Sequence, residues 1–154
     1  MLGSGLNMIW YSHFLGTKDA TTVLPLAEKW TSGVQPGAAF VAEFLGTFVL
    51  AVLVFVFTNE KNFKYRLPVP FILGAGLMCI VNTIAPVTNC GINPARDFGP
   101  RVIAMMSDWS VEDAFPEGAI VTVYWIAPLL GGLLGAGFAD RCLPYLLPSH
   151  MKEQ

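Results

Sequence analysis

The chain has 154 residues, 54% of them hydrophobic and only 13% charged, with a net charge of −2 and a mean hydropathy of +0.56. Soluble domains carry roughly 25% charged residues, so a density this low identifies lipid rather than water as the surrounding solvent. No basic run suggests nucleic acid, and Cys79, Cys90 and Cys142 are too few and too scattered for a disulfide framework or a zinc site; neither metal nor cofactor is expected.

Met1 to Phe14 is apolar but falls short of the about 20 residues that a helix needs to cross a bilayer. It has neither the basic start nor the cleavage pattern of a signal peptide. It reads as the last turns of a helix, followed by a polar connector in which Trp30 is a candidate interfacial anchor. Residues 1–36 are thus expected to be the end of a truncated helix plus an outer loop. Gly37 to Thr58 is the clearest span, and Glu43 is its only charge. Two readings of Glu43 stand: an end residue reaching the headgroups, or a buried carboxylate accepting backbone N–H groups from non-helical chain at membrane depth. Phe55 and Phe57 are expected to face lipid or neighbouring helices.

The loop Asn59–Arg66 carries Lys61, Lys64 and Arg66. Pro68 and Pro70 suit the first turn of a second span running to about Pro86, whose Gly74, Ala75 and Gly76 allow close helix contact. Asn82 and Thr83 read as helix–helix glue and Cys79 as packing. Next comes Asn89 to Arg101. Asn93 is a good N-cap and Pro94 occupies the first helical position, where its missing N–H costs nothing. Arg96 opposes the helix dipole at this end and is expensive at membrane depth, so it is there for a task. Asp97 and Arg101 lie one turn apart on one helix face, within ion-pair reach. Only about a dozen residues separate Asn93 from Met105, half a membrane thickness.

The connector Ser107–Gly118 holds Asp108, Glu112, Asp113 and Glu117 without a basic residue. Ala119–Ala139 is the last full span, with Tyr124 and Trp125 near its start and a Gly131-x-x-x-Gly135 packing pattern. Residues 143–154 form a short tail after Arg141, and Cys142 at the membrane edge is a weak palmitoylation candidate. The positive-inside rule places the Asn59–Arg66 loop and the C-terminal tail in the cytoplasm and the acidic connector outside. The short helix from Asn93 must then enter and leave on the outer side. It is a re-entrant half-helix with its N-terminus at the bilayer midplane.

Such an N-terminus presents unpaired N–H groups and about half a positive charge. The Asn93 amide and the Arg96 guanidinium add donors without adding a titrating acid or base. The site suits small neutral molecules with lone pairs and repels protons and cations. A broken helix that merely packs leaves Arg96 unexplained. A proton- or ion-coupled transporter requires a titratable relay, which Glu43 and Arg96 alone do not make. An enzyme is not expected, because His13 and His150 lie outside the spans without a partner group.

Asn93-Pro94-Ala95-Arg96-Asp97 resembles the second signature of the aquaporin and aquaglyceroporin family, the major intrinsic proteins. Ala42-Glu43-Phe44-Leu45-Gly46-Thr47-Phe48 is similar to the opening of the family's fourth span. Phe98-Gly99-Pro100-Arg101 continues the half-helix, and Pro128 with Gly131-Gly132 resembles the sixth span. The resemblance implies an all-α membrane protein, the second inverted repeat of the aquaporin fold, with about three transmembrane helices and one re-entrant half-helix over residues 37–142. It implies that Asn93 donates to the passing solute at the pore centre and that Arg96 lines the outer filter. By the same resemblance Cys90, Gly91 and Ile92 form the filter loop, with Cys90 at the mercury-sensitive wall position. Pro94 and Ala95 complete the signature, and Glu43 braces the re-entrant loop. Val81 falls where water-selective members place His.

Asp97, Arg101 and Val81 resemble the glycerol-conducting branch, whereas Cys90-Gly91-Ile92 and Tyr124-Trp125 resemble the water-selective branch. The implied function is a channel for water and glycerol or other small neutral solutes in the plasma membrane, assembled as a homo-tetramer among membrane lipid. The family is built from two inverted repeats, and this chain carries one signature. As a C-terminal half it is expected not to conduct alone. The alternative is a non-conducting truncated membrane protein that associates with full-length channel subunits.

Overall fold

The computed structural model of the chain describes residues 30–59, 68–106, 111–115 and 118–142. The expectations for the N-terminal helix end, for the basic loop after Asn59, for part of the acidic connector and for the tail lie outside the described residues. Among the described residues all regular structure is helical. Helix α1 is Pro36–Thr58, α2 is Val69–Thr88, α3 is Pro94–Met105 and α4 is the single turn Val111–Ala114. Helix α5, Thr122–Arg141, opens with a π-helical turn over Thr122–Ile126 and continues as an α-helix from Ala127. Helices α1, α2 and α5 are long and apolar enough to cross a membrane. At 1.5 Å per residue, the 23 residues of α1 reach about 35 Å, more than the hydrocarbon core of about 30 Å.

Helices α1 and α5 pack through glycine. A Cβ on Gly131 would stand 2.2 Å from the Phe44 carbonyl oxygen, and one on Gly135 would stand 2.4 Å from that of Phe48. The two backbones can approach only because both positions lack a side chain, as small-residue helix pairs in membranes do. Phe40, Phe44, Phe48 and Phe138 form a ladder beside this seam, with ring centroids 5.8 to 6.4 Å apart. Helix α2 meets α1 in the same way. Gly46 accommodates Ile84 and Gly76 accommodates Leu53, each at 2.7 Å from a built Cβ. Ile80, Ile84 and Cys90 form the buried centre of this side, with Ala42, Leu50, Leu53 and Ile92 packed around them.

Helix α2 runs past its expected end at Pro86 to Thr88. Thr31 makes this possible: its hydroxyl donates to the Pro86 carbonyl at 2.6 Å and its N–H to the Val87 carbonyl at 2.9 Å. Those carbonyls would otherwise lack partners at a helix end.

Three expectations are corrected here. Trp30 is no interfacial anchor; it is 4% exposed and stacks on Tyr124 at 6.3 Å, within a core of Ala39, Ile120 and Val123. Cys79 is exposed rather than packed. Asn82 and Thr83 donate to the Met78 and Cys79 carbonyls of their own helix, each at 2.8 Å, and not to another helix. The acidic connector contains the turn α4. Its Ala114 carbonyl accepts from Arg101, and this tie to α3 was invisible in the connector's composition.

Candidate functional site

The segment between α2 and α3 is bent by three non-glycine residues in the left-handed region: Asn89 (φ 59°), Cys90 (φ 60°) and Ile92 (φ 37°). Such conformations cost about 1–3 kcal/mol each and persist only where the surroundings hold them. For a β-branched residue such as Ile92 the departure is unusual. The surroundings here are specific. The Gly91 N–H donates to Glu43 Oε1 at 2.8 Å, and the Ile92 N–H donates to Glu43 Oε2. Glu43 is fully buried. The Cys90 N–H donates to the Thr88 hydroxyl at 3.3 Å, and the Tyr124 hydroxyl donates to the Thr88 carbonyl at 2.9 Å. Gly91 fits beneath the Tyr124 ring because it lacks a Cβ, which would stand 2.4 Å from Tyr124 Cδ1.

The chain then turns into α3. Asn93 Oδ1 accepts the Ala95 N–H at 3.0 Å, and the Asn93 carbonyl accepts the N–H of Arg96 at 3.0 Å. A side-chain amide has one oxygen and one NH2 group. The cap uses the oxygen, and the exposed side chain keeps its NH2 as a donor for a ligand. Arg96 Nη1 donates to the Cys90 carbonyl at 2.9 Å, so the strained turn supplies the acceptor that fixes the guanidinium.

Behind α3 lies a second polar cluster. Arg101 Nη2 and Nε donate to Asp97 Oδ1 and Oδ2 at 2.6 and 2.8 Å. Trp125 Nε1 donates to the same Oδ2 at 2.8 Å. Arg101 Nη1 donates to the Ala114 carbonyl at 2.6 Å, and the guanidinium lies 5.5 Å from the Phe115 ring centroid and 5.9 Å from that of Tyr124. Both charges are buried, Arg101 completely. This bidentate geometry is the kind that makes a buried pair tolerable.

The two legs of the turn and the facing sides of α1, α2 and α5 enclose an open groove of about 620 Å³. Val81, Cys90, Ile92, Asn93, Pro94 and Arg96 all line it. Gly91 does not; it is buried, with its N–H on Glu43. Ala95 is exposed but outside the groove lining, while Asp97 and Arg101 lie in the buried cluster. Sequence reasoning missed Thr47 and Leu50 of α1, and Leu129 and Gly132 of α5, which complete the walls. It also missed the bond from Trp125 to Asp97. No periodicity could have disclosed a contact 28 residues long between two different helices.

Comparison with known proteins agrees with this geometry. The sequence pattern of the family described as "Major intrinsic protein" matches residues 2–138. The chain is 34% identical over 141 residues to the glycerol uptake facilitator protein of Haemophilus influenzae, covering 86% of this chain and 52% of that one. It is 34% identical over 110 residues to Aquaglyceroporin-2 of Rhizophagus irregularis, covering 71% of this chain and 34% of that one. The chain therefore spans about half the length, or less, of these curated relatives. Its fold superposes on the X-ray structure of the aquaglyceroporin from Plasmodium falciparum with a TM-score of 0.76 at 21% identity, over 94% of this chain and 60% of that one. The matched stretch contains the signature at Asn93, the half-helix that follows it and the glycine seam of α1 with α5, and the chain belongs to the major intrinsic protein family.

Proposed function

We propose that this chain supplies one half of the pore of a channel for water and for glycerol or other small neutral solutes. One observation carries the reading. The Asn93 amide and the Arg96 guanidinium line an otherwise largely apolar groove whose described lining contains no carboxylate and no histidine. Donors of this kind hold the oxygen of water or of a polyol, and apolar walls pass its carbon skeleton. The N-terminal end of α3 and the fixed charge of Arg96 oppose cations and protons. Glu43 would brace the turn, Cys90, Ile92 and Val81 would shape the wall, and Pro94 and Ala95 would open the half-helix. Gly91 would give the Tyr124 ring its seat.

The groove is open on one side, so its second wall must come from another repeat, and this chain alone is expected not to conduct. Residues 37–142 would form the repeat, multi-pass in the plasma membrane with a cytoplasmic C-terminus, as a homo-tetramer. The chain's similarity to a glycerol uptake facilitator protein and to Aquaglyceroporin-2 supports the glycerol branch. The second reading is a non-conducting membrane protein that associates with full-length channel subunits. Phe71 (76%) and Met78 (62%), exposed and outside the groove lining, would suit contact with such subunits.

The test is stopped-flow swelling of proteoliposomes under water and glycerol gradients. One arm carries the 154-residue chain. The other carries the Haemophilus influenzae facilitator with its second repeat replaced by residues 37–142. Flux through the graft that Arg96→Val alters, with none from the chain alone, is the expected result. A correctly inserted graft that passes neither solute would favour the non-conducting reading.

A further inference from the structure

Helix α3 is short, at 12 residues, and is interrupted by Pro100. Among the described elements it meets chiefly α4 and the π turn of α5. Its Ala95 is exposed. The buried ion pair of α3 lies on the side of Asp97 and Arg101. Consecutive residues leave an α-helix about 100° apart. A rotation well short of that angle would carry Arg96 off the Cys90 carbonyl that it holds at 2.9 Å.

The π turn supplies a contact suited to this task. Trp125 Nε1 donates to Asp97 Oδ2 at 2.8 Å, and its ring meets Phe98 edge-on at 5.2 Å and 86°. Two consecutive residues of α3, Asp97 and Phe98, are thus gripped by one indole, immediately after Arg96. The Asp97 carboxylate is shared between this indole and Arg101. Arg101, from the pair that resembles the glycerol-conducting branch, and Trp125, from the pair that resembles the water-selective branch, thus donate to the same Asp97 oxygen.

We propose that Trp125 is a positioning residue for Arg96: its N–H on Asp97 holds α3 at the rotation in which the Arg96 guanidinium reaches the Cys90 carbonyl. Its importance for solute passage rests on the half-pore reading; the coupling itself does not. Trp125 does not line the groove, so its reach to Arg96 is through α3. Replacing the indole N–H while keeping a ring should release Arg96, whereas Arg101 turns together with Asp97 on the same helix and stays shielded by their ion pair.

The test measures the rate at which phenylglyoxal modifies each arginine of the full chain in lipid nanodiscs, read by peptide mass spectrometry. Trp125→Phe keeps a ring against Phe98 and removes the donor. Trp125→His restores an N–H at a similar distance from the backbone. The expected result is a several-fold faster modification of Arg96 in Trp125→Phe, with Arg101 still protected and Trp125→His close to the unaltered chain. An unchanged Arg96 rate would overturn the proposal. So would a joint rise at Arg96 and Arg101, which marks simple unpacking, or a Trp125→His variant as reactive as Trp125→Phe. Should Trp125→Phe fail to fold, hydrogen exchange of the Trp125 indole in the unaltered chain decides. Protection matching the backbone amides of α3 supports the coupling, and exchange as fast as that of a solvent-exposed indole overturns it. None of these readings depends on flux, so a channel that fails to conduct leaves the result intact.

Discussion

The Glu43 carboxylate receives the backbone N–H groups of both Gly91 and Ile92, residues 48 and 49 positions further along the chain. A carboxylate within an apolar helix and a stretch of irregular backbone are each costly at membrane depth. Together they satisfy one another, since two backbone donors face two carboxylate oxygens with the side chain fully buried. The bond also holds the left-handed turn whose Cys90 carbonyl orients Arg96. A residue on the first helix thus sets the geometry of a donor on the third.

Glu43→Gln should lower the stability of the detergent-solubilised chain by about 1–3 kcal/mol, the usual cost of leaving a buried polar group unsatisfied. A carboxamide has one acceptor oxygen and turns its NH2 towards the second backbone donor. A thermal melt followed by circular dichroism measures the loss, and a melt unchanged from that of the original chain would contradict the bracing role.

Gly91→Ala should be destabilising by about 1–3 kcal/mol, as overpacking generally is, because the new methyl meets the Tyr124 ring at 2.4 Å. The strain is shared between two residues, so it should be non-additive. Added to a Tyr124→Leu background, Gly91→Ala should cost clearly less than it does alone. Equal costs in both backgrounds would locate the strain elsewhere.

Arg101→Met should cost about 3–5 kcal/mol, the range for breaking a buried ion pair from one side, since it strands the buried Asp97 carboxylate with the Trp125 indole. Arg101→Lys should recover only part of this. A lysine cannot reproduce the two parallel bonds to Asp97 together with the one to Ala114. The three melts should fall in the order original chain, lysine variant, methionine variant.

The glycines of α5 should divide by position. Gly131→Ala and Gly135→Ala push a methyl onto the carbonyls of Phe44 and Phe48 and should separate α1 from α5, lowering the melting temperature. Gly137→Ala has nothing within 4 Å and should be neutral, or stabilising by up to about 1 kcal/mol through helix propensity. If all three substitutions behaved alike, the seam would not depend on close backbone approach.

Much of this architecture was legible in the one-dimensional pattern. Apolar length marked the three long helices to within a few residues, because a bilayer sets a minimum span that composition must meet. Asn93 and Pro94 marked the start of α3, because an N-cap and a first-turn proline act locally. The spacing of Asp97 and Arg101 put both on one face, because helical neighbours follow from the backbone repeat. Gly131 and Gly135 announced a helix seam for the same reason.

What these signals share is short range in the chain; the remainder depended on contacts between distant segments. The partners of the Glu43 carboxylate, the burial of Trp30 against Tyr124, the seating of Gly91 beneath Tyr124 and the indole of Trp125 on Asp97 were decided by how α1 and α5 lie against the turn and α3. Side-chain identity specifies which donors and acceptors a residue carries. Which of them meet is fixed only when the helices pack, because a bond across 28 or 48 residues follows from the relative placement of whole helices and from no local repeat.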